Sequence, residues 1–147
     1  MALPPLINAV SRVKVGQSYI YIAGVDDNNN GFPDVNSVAS QVYRDDFVIF
    51  AAHSPEVLMD AQKAKDANGD GHWFDLALFG HTHGGQINLF GYRPFRNVSQ
   101  ELSARYLSGW LEENRAGVLV SNGVGTSVAP MRLFAQPQVH LITLKAR

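Results

Sequence analysis

The sequence predicts a single α/β domain over residues 1–147, in which helices flank a mixed β-sheet. Short apolar runs alternate with helix-start signals in the first half of the chain, an order typical of parallel strands joined by helices. The later part carries paired apolar runs that would add antiparallel strands to the same sheet. With 147 residues, of which 46% are hydrophobic and 17% charged, the chain can form one core but not two.

Three strands are predicted in the first half of the chain, each ending on polar residues. Tyrosines and isoleucines alternate over 17–25, which favours a strand with both faces occupied, whereas residues 1–10 read only as a lead-in. The continuous apolar run at 47–52 predicts a buried strand that ends at His53. A third, shorter run covers 75–79.

Helices are predicted in the two connections between these strands. Asn36 is suited to cap a helix that runs to about Tyr43. Ser54 as N-cap, with Pro55 at the first helical position, predicts a second helix to about Ala64.

The rest of the chain predicts β-structure. Residues 106–111 and 117–121 flank a polar turn and read as a hairpin. Beyond a Gly-rich turn at 122–127, an apolar run at 131–135 precedes the alternating segment 138–144, which is predicted as the last strand.

Composition excludes several classes of function. Twelve Lys and Arg against 13 Asp and Glu give a net charge of -1, so no specific nucleic-acid binding is expected. The absence of cysteine excludes disulfides, thiolate metal sites and a cysteine nucleophile. No signal peptide and no apolar run of the roughly 20 residues that a bilayer span needs is visible, so a cytoplasmic or peripheral membrane location is expected.

Side chains with metal-ligand chemistry follow the predicted strands. In an open α/β sheet ligands collect at the carboxyl ends of the strands, where Asp26, His53 and the pair His81 and His83 fall. The two-residue spacing of the pair, in an extended segment, sends both imidazoles to one side. Neutral imidazole favours Zn, Mn or Fe, so the sequence predicts a divalent metal site.

Two polar loops leave a calcium-binding interpretation open. The segments at 26–31 and 66–71 both match the first half of a calcium loop. The twelfth position, where a bidentate Glu belongs, is Ser37 in one and Ala77 in the other. Asx-rich turns that join elements explain both segments equally well.

The motif GHTHGGQ at 80–86 resembles that of the calcineurin-like metallophosphoesterases, as do His53 with its following Ser-Pro and the Asp26-Asp27 pair. The similarity is greatest to the bacterial branch that includes UDP-diacylglucosamine hydrolase-like and membrane-associated phosphodiesterases. Residues 123–132 also resemble the C-terminal end of that branch, so the resemblance covers nearly the whole chain.

The resemblance implies the C-terminal half of a four-layer α/β/β/α sandwich. It implies hydrolysis of phosphodiesters or pyrophosphates by a hydroxide that bridges two divalent ions, Mn, Fe or Zn. By similarity, His53 and His81 would bind one ion and His83 the other. Further residues are expected to shape the site or to face a phosphate-ester or nucleotide-lipid substrate: Asp26, Asp27, Gly84, Gly85, Gln86 and Arg132.

The chain departs from the family pattern in one respect. The earlier motifs Asp-x-His, Gly-Asp-x-x-Asp and Gly-Asn-His-Asp/Glu, which supply the remaining ligands, are absent. We therefore expect a C-terminal half that is inactive alone, whose partner is the missing N-terminal half and whose uncovered sheet face promotes self-association. The alternatives are a non-catalytic metal- or calcium-binding module and an inert structural fragment.

Overall fold

The computed structural model describes residues 5–90, 92 and 104–145, which contain one six-stranded mixed sheet. The strands are β1 (Ala9–Val15), β2 (Ser18–Gly24), β3 (Phe47–Ala51), β4 (Leu76–Phe79), β5 (Gly109–Glu113) and β6 (Ala116–Val120). The α-helices are α1 (Val35–Ala39) and α2 (Leu58–Ala61), and 3₁₀ turns cover Pro55–Val57, His83–Gly85 and Ala104–Leu107.

The strand order β1-β2-β3-β4-β6-β5 confirms the predicted fold class. Strands β2, β3, β4 and β6 are mutually parallel, whereas β1 and β5 pair antiparallel at the two edges. The predicted C-terminal hairpin is β5-β6, although Tyr106 and Leu107 lie in the preceding 3₁₀ turn. One end of the parallel part of the sheet therefore collects the carboxyl ends of four strands.

Strand β1 was not predicted, because residues 1–10 read as a lead-in. Charged Arg12 and Lys14 alternate with exposed Val13 and Val15, so neither face gives the apolar signal of a buried strand. The strand forms because a tight turn at Gly16, whose φ is +61°, folds it back onto β2.

Both helices are shorter than predicted, and one has a different cap. The N-cap of α1 is Asp34, whose carboxylate accepts the Ser37 N–H at 2.9 Å, and not Asn36. That helix ends at Ala39 instead of Tyr43. Ser54 accepts the Glu56 N–H as predicted, but the helical segment after it is a 3₁₀ turn followed by α2, which ends at Ala61.

The helices cover one face of the sheet and enclose an aromatic core. Phe50 of β3 makes edge-on contacts with Trp73 and Phe79 at centroid distances of 5.1 and 5.9 Å. The indole N–H of Trp73 donates to the Ala61 carbonyl at 2.8 Å, which ties α2 to the core. These contacts fix β3 and β4 relative to each other, and both strands lead into the site described below.

The opposite face of the sheet is aliphatic. Ile22 of β2 pairs with Ile49 of β3, and Leu78 of β4 pairs with Leu119 of β6, all on the side that the helices do not cover. Leu119 is itself buried, whereas Ile22, Ile49 and Leu78 are half-buried, and we refer to these three side chains as the aliphatic face. A parallel sheet of this composition is normally covered on both faces.

The predicted last strand at 138–144 is wrong, and the apolar run at 131–135 before it forms no strand either. Only Leu133 forms a β-bridge, to Ile87, and residues 138–144 have no regular secondary structure. The period-two pattern is present, but the segment pairs with neither edge strand, β1 or β5. Val139 and Leu141 are consequently 88% and 96% exposed.

Among the described residues, no helix has the length and apolar character needed to cross a bilayer.

Candidate metal centre

Four polar side chains lie at one end of the parallel sheet, each two residues beyond its strand. They are Asp26 after β2, His53 after β3, His81 after β4 and Asn122 after β6. Because the strands are parallel and adjacent, the backbone brings these positions to one edge. Sequence reasoning missed Asn122, which reads as part of a Gly-rich turn.

His53 and His81 are in direct contact. His53 Nε2 lies 3.0 Å from His81 Nδ1, and the ring centroids are 4.8 Å apart. The Gly80 N–H donates to the His53 carbonyl at 3.0 Å, which fixes the two strand ends relative to each other. Facing imidazole nitrogens fit a divalent cation by their donor chemistry.

The pKa of His81 is lowered below its ordinary value of 6.5. Burial of the ring is the main cause, and the nearby His53 and His83 add to it, whereas the carboxylates of Glu56 and Asp27 act in the opposite direction. The ring is therefore kept neutral to lower pH than a free histidine, and a neutral imidazole is the form that binds a metal.

His83 points to a different neighbour. Its Nδ1 lies 3.1 Å from the Gly125 carbonyl oxygen and 3.2 Å from Arg132 Nη2. Within the described part of the chain, no three His, Asp or Glu side chains are placed so that they could hold one metal ion. The structure thus joins two of the three predicted histidines and leaves the third against the 122–132 segment.

The turn that carries His81 and His83 has a strained backbone and is held in place by hydrogen bonds of Thr82. His81 and His83 both have positive φ, +65° and +51°, which is uncommon for residues with a side chain. Between them, the fully buried Thr82 donates its hydroxyl to the Leu107 carbonyl at 2.7 Å and accepts the Gly84 N–H at 3.2 Å. Thr82 is a second residue whose role the sequence did not reveal.

Gly84, Gly85 and Gln86 shape the same turn. Gly84 has a φ of +64°, and a Cβ there would collide with the side chain of Asn122. The Oδ1 atom of Asn122 is the buried side-chain polar atom, among those described, that lacks a hydrogen-bond partner. Gly85 has a φ of +80°.

Gln86 is only 1% exposed, and its amide is fully used. Its Nε2 donates to the carbonyls of Ser127 and Ala129 at 2.7 and 2.8 Å, while its Oε1 accepts the Ser127 N–H at 2.6 Å. This residue joins the histidine turn to the following loop and has no donor left for a substrate.

Asp26 and Asp27 are engaged by their own loop. The two Asp26 oxygens accept the N–H groups of Asp27 and Phe32 at 2.8 and 3.0 Å. Asp27 accepts from Asn29 and Asn30, and these backbone hydrogen bonds lower the pKa of its carboxyl group. Both residues shape the loop beside the histidine pair.

Hydrogen bonds to Asp66 hold the 66–71 loop together. Buried Asp66 accepts the N–H groups of Asn68 and Asp70 on one oxygen and that of Arg44 on the other, all at 2.8 Å. Burial alone would raise the pKa of this carboxyl group, but the hydrogen bonds outweigh it and the pKa is lowered. These contacts are those of an Asx-rich turn.

Comparison with known proteins finds several relatives that are named metallophosphoesterases. The chain is 32% identical over 138 residues to an uncharacterised metallophosphoesterase of Aquifex aeolicus, covering 88% of this chain and 47% of the relative. It is 33% identical to the uncharacterised metallophosphoesterase YkuE of Bacillus subtilis, covering 88% and 42%. It is 35% identical over 95 residues to the phosphodiesterase YaeI of Escherichia coli, covering 63% and 30%.

The chain thus spans less than half the length of these curated relatives. No family model and no solved structure matches it.

Proposed function

Because this chain is related to the metallophosphoesterase superfamily over most of its length, we propose that it takes part in metal-dependent hydrolysis of phosphoric esters. A phosphodiester is the proposed bond, since one relative is named a phosphodiesterase. Divalent ions would polarise the phosphoryl oxygens and provide a nucleophilic water at neutral pH.

The contact between His53 Nε2 and His81 Nδ1 carries this proposal. Two ligand atoms from different strands meet at the edge of the sheet where ligands bind, in a turn held by Thr82 and Gly84. We assign one ion to this pair and the other ion to His83, with Mn, Fe or Zn as candidates.

The remaining ligands are proposed to come from a protein layer on the aliphatic face. The described residues do not complete a ligand set, and the aliphatic side chains opposite the helices suit a second layer. The natural occupant would be the N-terminal half of such a domain, and a second copy of the chain is the substitute when that half is absent.

Metal stoichiometry tests the proposal. The chain would be purified with Mn²⁺ and Zn²⁺, analysed for bound metal per chain, and assayed with bis(p-nitrophenyl) phosphate. About one equivalent, without turnover, is expected for the chain alone, and loss of that metal on replacing His81 would tie it to the site. Two equivalents with turnover would mean that the chain completes a binuclear site unaided. Absence of any bound metal would contradict the proposal.

A further inference from the structure

Residues 138–144 run from one end of the sheet to the other. At the start of this segment, the Gln138 N–H donates to the Gly123 carbonyl at 2.9 Å, three residues beyond the end of β6. At its other end, Leu144 lines a cavity of about 290 Å³ together with Phe47, the first residue of β3. Because β3 and β6 run in the same direction, the segment passes from the carboxyl end of the parallel strands back to their amino end.

The segment lies on the side of the sheet that carries the aliphatic face. Phe47 is two residues before Ile49 in β3, so both side chains point to the same face. Within the segment, Ile142 is half-buried, whereas Val139 and Leu141 are exposed. Two large apolar side chains of the segment therefore face away from the sheet.

The backbone of this segment is open to pairing. Within residues 5–90, 92 and 104–145, no group donates to or accepts from the backbone N–H and C=O groups of residues 139–144. A row of such groups is a template on which another strand can pair. The alternating apolar pattern of the segment is that of a strand, so a neighbouring strand is what it lacks.

The segment differs in charge from the two edges of the sheet. Edge strand β1 carries Arg12 and Lys14, and edge strand β5 carries Glu112 and Glu113. Charged side chains on an edge strand oppose pairing with another chain. No Asp, Glu, Lys or Arg occurs from 133 to 144. A further strand therefore meets less opposition at residues 138–144 than at either edge of the sheet.

We propose that residues 138–144 pair antiparallel with the same segment of a second copy of the chain. Two copies related by a two-fold axis offer each other the same surface, so one segment supplies both strands. The register centred on Leu141 pairs the whole segment and ends at Pro137, which has no N–H to donate. It also places the two Lys145 side chains at opposite ends, whereas parallel pairing would bring these like charges together. The pairing requires neither metal nor catalysis, so it is independent of the proposed function.

Cysteine scanning tests the register, because the chain has no cysteine of its own. Val139→Cys, Leu141→Cys and Thr143→Cys would each be oxidised with diamide and analysed for covalent dimer under non-reducing conditions. In the proposed register, Leu141 faces Leu141 of the second copy with Cα atoms about 4.5–5.5 Å apart, within the reach of a disulfide. The two copies of Val139, and those of Thr143, lie about 14 Å apart along the strands.

We therefore expect a covalent dimer of Leu141→Cys and its loss in the other two variants. Equal yields at the three positions would indicate parallel pairing or random collision and would overturn the proposal. A yield that is highest at Val139→Cys or Thr143→Cys would overturn the proposed register.

Leu141→Pro tests whether the backbone carries the association. This change removes an N–H that makes no hydrogen bond within the described part of the chain, so the fold should persist. The dissociation constant of the dimer, measured by sedimentation equilibrium with EDTA present, should rise at least about tenfold because proline interrupts a strand pair.

Leu141→Ala is the matched control, since it shortens the same side chain but keeps the N–H. It should weaken the dimer less than Leu141→Pro does. Equal weakening would assign the association to the side chain and overturn the proposal, and so would a wild-type chain that stays monomeric at all concentrations. If Leu141→Pro does not fold, the cysteine scan still decides.

Discussion

His53 Nε2 and His81 Nδ1 lie 3.0 Å apart at the ends of β3 and β4, which are parallel neighbours in the sheet. Ala51 of β3 is in register with Leu78 of β4, which places His53 opposite Gly80, one residue before His81. The register of the sheet thus brings the two residues close together.

The first prediction concerns this pair as ligands. His53→Gln and His81→Gln should each weaken binding of Mn²⁺ or Zn²⁺ by at least tenfold, because each removes a nitrogen that the other cannot replace. Isothermal titration of the purified variants measures the change.

The matched control is His72→Gln, which removes a histidine from a loop away from the strand ends. It should leave the affinity unchanged. Equal losses in all three variants, or no loss in any, would show that metal is bound elsewhere.

The second prediction concerns pH. The pKa of His81 is lowered, mainly by burial, so between its folded value and the ordinary value of 6.5 the unfolded chain binds more protons than the folded one. The free energy of unfolding should therefore be at its full value above about pH 6.5 and should fall as the pH drops through this window. Urea denaturation of the EDTA-treated chain between about pH 8 and pH 5 measures it.

His81→Gln should flatten this pH dependence, and His72→Gln should keep the wild-type slope. Asp27 and Asp66, whose lowered pKa values act in the same direction, lose their contribution only near and below their ordinary value of 3.8, outside this window. A slope that persists in His81→Gln would assign the effect to another group.

Local sequence patterns were sufficient where one strand's own side chains carry the signal. The apolar runs of β3 and β4 predicted both strands and, with them, the placement of His53 and His81 at one edge. Local sequence patterns failed where pairing with a neighbouring strand decides whether a segment forms a strand. The exposed edge strand β1 forms only because β2 is beside it, and residues 138–144 lack a partner despite an alternating pattern.

The candidate site also contains residues that local sequence patterns could not place there. Asn122 belongs to the strand-end group because β6 pairs in parallel with β4, with Phe79 in register with Val120. The signal available in the sequence was its position directly after the predicted strand 117–121, as His53 directly follows the predicted strand 47–52. The contacts of Arg132 with four distant carbonyls leave no local signal, so the sequence could only suggest a site role for it.

The third prediction tests the close packing behind the histidine turn. Gly84→Ala adds a Cβ at a φ of +64° that collides with Asn122. Gly16→Ala adds one at a φ of +61° with nothing within 4 Å, so it isolates the conformational cost, about 1–2 kcal/mol. We expect Gly84→Ala to lose about 1–3 kcal/mol more, measured by urea denaturation. Equal losses would mean that the turn moves freely away from Asn122.

The fourth prediction separates structure from calcium binding at the 66–71 loop. Asp66→Ala removes a buried carboxylate that accepts three backbone N–H groups and should cost about 3 kcal/mol or more. The exposed Asp70→Ala should stay within about 0.5 kcal/mol of the wild type. Thermal melts of the wild-type chain with and without Ca²⁺ should coincide. A calcium-dependent rise in Tm that Asp66→Ala abolishes would instead support the calcium-binding alternative.

The last prediction concerns the aliphatic face of the sheet, Ile22, Ile49 and Leu78. These side chains lie opposite the helices, so the chain on its own should associate through them as its concentration rises. Ile22→Lys combined with Leu78→Lys should weaken association at least tenfold, because burial of one such side chain contributes about 1.5–3 kcal/mol and 1.4 kcal/mol is a tenfold change. Sedimentation equilibrium measures the dissociation constant.

Met59→Lys is the control for that experiment, since Met59 is an exposed apolar residue of α2 on the helical side. Association that falls only in the Ile22 and Leu78 variant would identify the aliphatic face as the surface that a second layer covers. A wild-type chain that stays monomeric at all concentrations would contradict this, and so would equal weakening by Met59→Lys. In either case the aliphatic face would not be the surface that a second protein layer covers. The remaining metal ligands would then have to come from a layer bound at a different surface.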